Sequence, residues 1–211
     1  NSELLALLRQ LQKSCPHAAP AAPLDQLAFS ILQDLPRSEA MAIFRKLQAT
    51  FVDWNDLRVA RRAELARLLD PLPDADERAL RLRTLLGKLF ELRGSMDLSF
   101  LTEMKTTEAR RQIQALDKGL SRITVDTVLL AICPGAPLPN LPGALRSARK
   151  HGLTGRGDAR QQLQKRLQSE LSPADAAALL LCLDALAGDS GRSRKRPAAP
   201  AKAKRKGKKR A

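Results

Sequence analysis

Residues 116–130, LDKGLSRITVDTVLL, decide how the chain is read. A short turn containing Gly119 separates two helical patterns, and the second helix opens on Ser121, Arg122 and Thr124. The spacing predicts a helix–hairpin–helix over 107–133, with helices at 107–116 and 121–133. Such a hairpin can offer backbone N–H groups to a phosphate, because a helix start carries unpaired N–H groups and a partial positive charge. The candidate contacts are the N–H groups near Gly119 to Ser121 and the side chains of Lys118, Ser121, Arg122 and Thr124. The plainer alternative is an ordinary helical turn with Gly119 at a C-cap.

Composition points the same way. The 211 residues are 44% hydrophobic but only 3% aromatic, with no Tyr, and Leu and Ala supply most of the apolar surface. Those residues suit helix packing better than sheets. No long β-branched run alternates with period two, so the expected fold class is all-α. No apolar run reaches 18 residues and no signal peptide is evident, which predicts a chain with no membrane partner. The chain opens on Asn1 rather than Met, so residues before it are expected.

Working outward, Ser2 can cap a first helix to about Lys13, with Leu4, Leu5, Leu8 and Leu11 on one face; this gives an N-terminal helical segment, 1–15. PHAAPAAP, 16–23, reads as a Pro/Ala linker. A helical domain is expected over 24–187. Within it, helices are read at 24–34, at 38–51, as two short pieces across 53–69, and from Asp74 or Asp76 to Arg93, where Gly94 stops the chain. Beyond the hairpin, a loop with four prolines in ten residues, PGAPLPNLPG, leads to helices at 143–151, 158–171 and 172–187. From Gly188 the sequence loses every large apolar residue, so 188–211 is expected to be a disordered basic tail.

The net charge of +15 is uneven. Eleven Lys and Arg residues and no Asp or Glu lie between Arg192 and Arg210, which leaves +4 for the rest of the chain. The tail, with Arg194, Lys195, Arg196, Lys204, Arg205 and Lys206, is therefore the expected polyanion-binding element, with salt-sensitive affinity. Charge alone admits DNA, RNA or an acidic protein; the AKAKRKGKKR composition, 201–210, resembles bacterial histone H1-like tails, which makes double-stranded DNA the expected partner and RNA the second. Arg146, Arg149 and Lys150, beside His151, form a basic helical face that suits either solvent or phosphate. Lys165, Arg166 and the Arg58, Arg61, Arg62 group read as plain surface, and Trp54 as a core or hinge anchor. Cys15, Cys133 and Cys182 lie far apart with no C-x-x-C pair, and His17 and His151 are the only histidines. Inert thiols, no metal site and no cofactor are expected.

Several segments form a pattern together. Asp53-Trp54-Asn55-Asp56-Leu57, then Ala63-Glu64-Leu65, precede the long helix; the hairpin follows; Arg146 and His151-Gly152-Leu153 sit in the next helix; Pro173 opens an Ala/Leu-rich helix. From about 24 to 187 this order resembles the endonuclease III family of helix–hairpin–helix DNA glycosylases. The resemblance implies that family's helical bundle, duplex DNA as partner, and a cytoplasmic, nucleoid-associated setting. It also implies two functional residues: a Lys at the start of the second hairpin helix, which forms a Schiff base with the sugar, and an Asp in the turn before the next helix. Aligned through Thr124 and the VLL that follows, the Lys position holds Ile123; aligned from Leu116 without a gap, it holds Arg122. The Asp position holds Leu141, or Asn140 in the alternative register. Isoleucine has no nucleophile and a guanidinium stays protonated. Neither Leu nor Asn can carry the negative charge that would steady a developing cation. The cysteines that hold an iron–sulfur cluster in many members have no counterpart. The expectation is thus a degenerate, non-catalytic member that binds DNA. The alternatives are a glycosylase or AP lyase with a rearranged site, using Asp126 or Lys118, and a nucleoid-tethered interaction scaffold.

Overall fold

A run of eight consecutive buried residues, Thr124 to Ala131, lies inside one helix, α8 (Arg122–Ile132). A helix buried all round has to be enclosed by other elements, and here two hydrophobic cores enclose it. The computed structural model describes residues 3–70, 72–155 and 157–192. Among these every regular element is helical, and no helix is long and apolar enough to cross a membrane.

The first core is built by α2 (Pro23–Phe29), α3 (Arg37–Thr50), α4 (Trp54–Val59), α5 (Arg62–Leu69), α6 (Ala75–Arg93) and α7 (Thr106–Leu116), closed by Val125, Val128 and Leu129 of α8. The second is built by α1 (Glu3–Ser14), α9 (Pro142–Lys150), α10 (Ala159–Glu170) and α11 (Pro173–Arg192), closed by Leu130 and Ala131 of α8. The chain therefore starts in the second lobe, crosses to the first, and returns through α8. Leu4, Leu8 and Leu11 bury the apolar stripe of α1 against this second core. The Pro/Ala segment between α1 and α2 crosses between the lobes, and its Ala19 packs on both cores.

Local chemistry explains the helix ends. Asp53, Ser121 and Asp158 are N-caps whose side chains accept from first-turn N–H groups of α4, α8 and α10. Pro23 and Pro142 occupy first-turn positions, where a missing N–H costs nothing. Gly94 stops α6 in the left-handed region at φ +67°, its N–H donating to the Phe90 carbonyl at 2.6 Å.

Several boundaries depart from the periodicity. The helix expected at 24–34 is α2 followed by a 3-10 turn, Ser30–Leu32, where the buried Ser30 hydroxyl donates to the Leu27 carbonyl at 2.6 Å. Gly119 is not a helix C-cap: α7 ends at Leu116, Asp117 caps it in extended conformation, and Gly119 is not among the glycines with positive φ. The tail was expected from Gly188, yet α11 continues to Arg192. A glycine inside a helix costs about 1 kcal/mol but does not stop it, and propagation adds one hydrogen bond per residue. Arg194, Lys195, Arg196, Lys204, Arg205 and Lys206 lie outside the described residues.

Side-chain ties fix the first lobe. Arg78 of α6 donates to Asp74 at 2.7 Å and to both oxygens of Asp34 at 2.7 and 2.6 Å, and also to the Ile31 carbonyl. One guanidinium so clamps the end of the 3-10 turn onto the start of α6. Trp54 donates from Nε1 to Asp25 at 2.8 Å and packs 5.7 Å from Phe44, the anchoring role its sequence suggested. Arg58 lies 4.0 Å over the Phe90 ring, and Arg62 pairs with Asp76, so two of the expected surface arginines are tied to neighbours.

The clamp predicts an acid limb of stability. Hydrogen bonds from Arg78 hold the carboxyls of Asp34 and Asp74 below 3.8, and the guanidinium is held protonated in return. A depressed folded-state pKa stabilises the fold above the unfolded value and loses that stabilisation as pH falls through the folded value. The melting temperature should therefore fall between about pH 5 and pH 2, and Arg78→Gln should flatten that fall. Equal acid slopes for the two proteins in thermal melts would contradict the clamp.

Candidate functional site

Where the lobes meet, at the N-terminal end of α8, they leave a cleft of about 270 Å3. Ile123 and Leu141 both line it, on the first turn of α8 and at the N-cap of α9. Ile123 is 42% exposed and Leu141 is buried, so one apolar side chain stands in the mouth and the other in the wall. Arg122, the alternative register, is 87% exposed at its side chain and is not part of the cleft lining; Asn140 is exposed and also outside it.

The polar part of the cleft is a hydroxyl–amide cluster. Gln33 Nε2 donates to Thr124 Oγ1 at 2.5 Å, and Ser121 Oγ donates to Gln33 Oε1 at 3.2 Å. The Ser121 and Thr124 hydroxyls are 2.8 Å apart, and the Thr124 N–H donates to Ser121 Oγ at 3.1 Å. Thr127 turns inward and donates to the Ile123 carbonyl at 2.7 Å. Across the cleft, Arg37 Nη2 of α3 donates to Asp184 Oδ2 of α11 at 2.8 Å. Asp184 is the only carboxylate in the described lining, and its ion pair ties the two lobes together.

The expected phosphate contacts divide into two groups. Lys118, Ser121, Arg122, Arg146, Arg149 and Lys150 are exposed. Thr124 is not: it is 1% exposed and spends its hydroxyl on Gln33 and Ser121, so it positions the helix start and cannot meet a duplex. The Gly119 N–H is also taken. It donates to Asp117 Oδ1 at 2.8 Å, and Arg81 Nε donates to the other oxygen of that carboxylate at 2.5 Å. The Leu120 N–H bonds the Asp117 carbonyl at 3.2 Å. The hairpin is thus closed on itself by an acidic residue, and the open N–H groups are those of Ser121, Arg122 and Ile123, the expected first-turn orphans of α8.

Asp126, the carboxylate named for a rearranged site, is not at the surface. It is 7% exposed, bonded to Arg110 and 3.7 Å from Arg122. Neither it nor Lys118 lines the cleft. Asp184 and Gln33 are the site residues that sequence reasoning missed. A lone carboxylate inside the apolar run AAALLLCLDALA, 176–187, was the available signal for Asp184; Gln33 carried none.

All three cysteines are buried. Burial raises the Cys133 thiol, and burial with the nearby Cys15 pushes Cys182 up to about 11, so neither is a thiolate nucleophile at neutral pH. Among the described residues no three His, Cys, Asp or Glu side chains are grouped to hold a metal. No protein-family model matches the sequence, and no curated protein matches it.

Ser121 is both N-cap and cluster member, which sets a measurable cost. Ser121→Ala should destabilise the protein by about 1 kcal/mol in urea unfolding, and Ser121→Asp should restore most of it. An unchanged midpoint in the Ala variant would show that the cap carries no stability.

Proposed function

We propose that the protein binds duplex DNA through an endonuclease III-like helical core that has lost base-excision chemistry, with the basic tail adding salt-sensitive affinity. One observation carries this reading. In one register of each alignment, the positions that the resemblance assigns to the Schiff-base Lys and the catalytic Asp are Ile123 and Leu141, and these two line a single interlobe cleft, whereas the alternatives Arg122 and Asn140 lie outside it. Positions 18 residues apart have no local reason to meet, whereas the family layout requires it.

The chemistry of the cleft argues against turnover. A Schiff base needs an unprotonated amine, and no lysine lines the cleft. Stabilising a sugar cation needs an available negative charge, and the one carboxylate present is paired with Arg37. The rearranged-site alternative through Asp126 or Lys118 is disfavoured by their positions outside the lining. Binding is supported by the exposed cations Lys118 in the turn before α8, Arg122 on α8, and Arg146, Arg149 and Lys150 on α9. Phosphate contacts of this kind position a duplex without reading its sequence.

The test uses duplexes with and without an abasic site. The protein should bind both, weaken steeply with salt, and form no covalent adduct on borohydride reduction. A double variant, Ile123→Lys with Leu141→Asp, should gain a trappable adduct on the abasic duplex. A strong adduct with the unaltered protein, lost on mutating a core residue, would overturn the non-catalytic reading. Removing residues 193–211 separates the scaffold alternative, since a scaffold core would then show no affinity for DNA.

A further inference from the structure

Arg37 is poorly satisfied where it stands. Its Nη2 donates to Asp184, while its Nη1 is buried without any hydrogen-bond partner. A buried donor left unpaired is destabilising, so such atoms are rare unless something fills them. Arg37 borders the cleft on one side and a separate recess of about 200 Å3 on the other. Arg146, Gly143 and Asp184 also bound that recess.

The recess already has one internal carboxylate, Asp184, at its wall. Arg146 is exposed and has no carboxylate partner among the described residues, so the two guanidiniums outnumber the one carboxylate. Gly143 is required there: a Cβ would collide with the Asp184 carboxylate. The absence of a side chain lets Asp184 lie against the start of α9, whose N-cap, Leu141, offers no oxygen to the first turn. Asp184 thus occupies the place an external anion would take, bonded to Arg37 and lying beside the positive end of α9. A carboxylate on a fixed helix uses one of the five N–H donors of Arg37. Inorganic phosphate has more acceptor oxygens and more charge than a carboxylate, and a phosphodiester matches the carboxylate in charge and in its pair of unesterified oxygens; both fit the guanidinium fork.

We propose that this recess binds the oxyanion of a phosphate group, with Arg37 and Arg146 as its cations and Asp184 as the internal anion it displaces. The extension to a DNA phosphodiester rests on the DNA-binding reading above; inorganic phosphate shares the same chemistry. In either case binding exchanges one ion pair for another and releases the link between α3 and α11.

The test is a titration of the full chain, labelled with 15N, first with inorganic phosphate and then with a short duplex at constant ionic strength. Phosphate should move the Gly143 amide and the Arg37 Nε–H signals saturably, and Arg37→Gln should abolish that response. Asp184→Asn removes the competitor and should tighten phosphate binding by about two- to fivefold, the worth of a partly exposed ion pair. A purely structural bridge predicts the opposite sign, with both variants weakened. Unmoved Gly143 and Arg37 signals, or Asp184→Asn binding no tighter, would overturn the proposal, and the Asn variant decides even if Arg37→Gln fails to fold. A duplex that competes with phosphate for these signals supports the phosphodiester form. Phosphate binding without any duplex response keeps the recess and removes only its link to DNA.

Discussion

Burial of α8 on every face is the constraint that the rest of the structure obeys. Both cores close on this one helix, the first through Val125, Val128 and Leu129 and the second through Leu130 and Ala131. Neither core is complete without it, so displacing the helix would uncover apolar surface in both lobes at once. The hairpin and the proline-rich loop at its two ends inherit their positions from that enclosure. The cleft does too: it opens where the helix turns hydroxyls, Thr124 and Thr127, toward the gap between the lobes.

Enclosure also imposes costs on the polar residues of α8, and each is met in a different way. Thr127 satisfies its hydroxyl on its own helix. Thr124 uses Gln33 and the Ser121 cap. Asp126 carries a charge and needs cations from outside the helix, which Arg110 and Arg122 supply. A buried ion pair is weak evidence for net stability. Here it has a geometric consequence: Arg110 belongs to α7, so the pair fixes the angle between the two hairpin helices.

The helices were legible because their apolar stripes follow the 3.6-residue period and their ends carry chemical punctuation. Asp158, Ser172 with Pro173, and Gly94 mark ends that the structure keeps within a residue or two. Periodicity could not reveal partners. The periodicity of LDKGL does not say that Asp117 will turn back onto the Gly119 N–H, although an Asp two residues before that N–H is the local signal of an Asx-turn. Nor does the sequence show that Arg37 and Asp184, 147 residues apart, face each other across the cleft. The end of α11 was misread because compositional polarity was taken to stop a helix, whereas a helix already nucleated continues until a residue forbids it.

The same partner logic separates two kinds of cation in this protein. Arg78, Arg81 and Arg110 are each tied to a carboxylate of the fold and are spent on holding elements together. Arg146, Arg149 and Lys150 are exposed, and no ion pair to a described carboxylate engages them. Free cations thus gather on α9, whose first turn borders the cleft and whose N-cap residue is Leu141. Arg37 lies between these classes: one nitrogen is engaged with Asp184 and another is buried and unpaired. A phosphate approaching α9 would meet the unengaged cations first and Arg37 last. Its ion pair across the lobes is therefore the point at which surface attraction becomes coupled to the cleft.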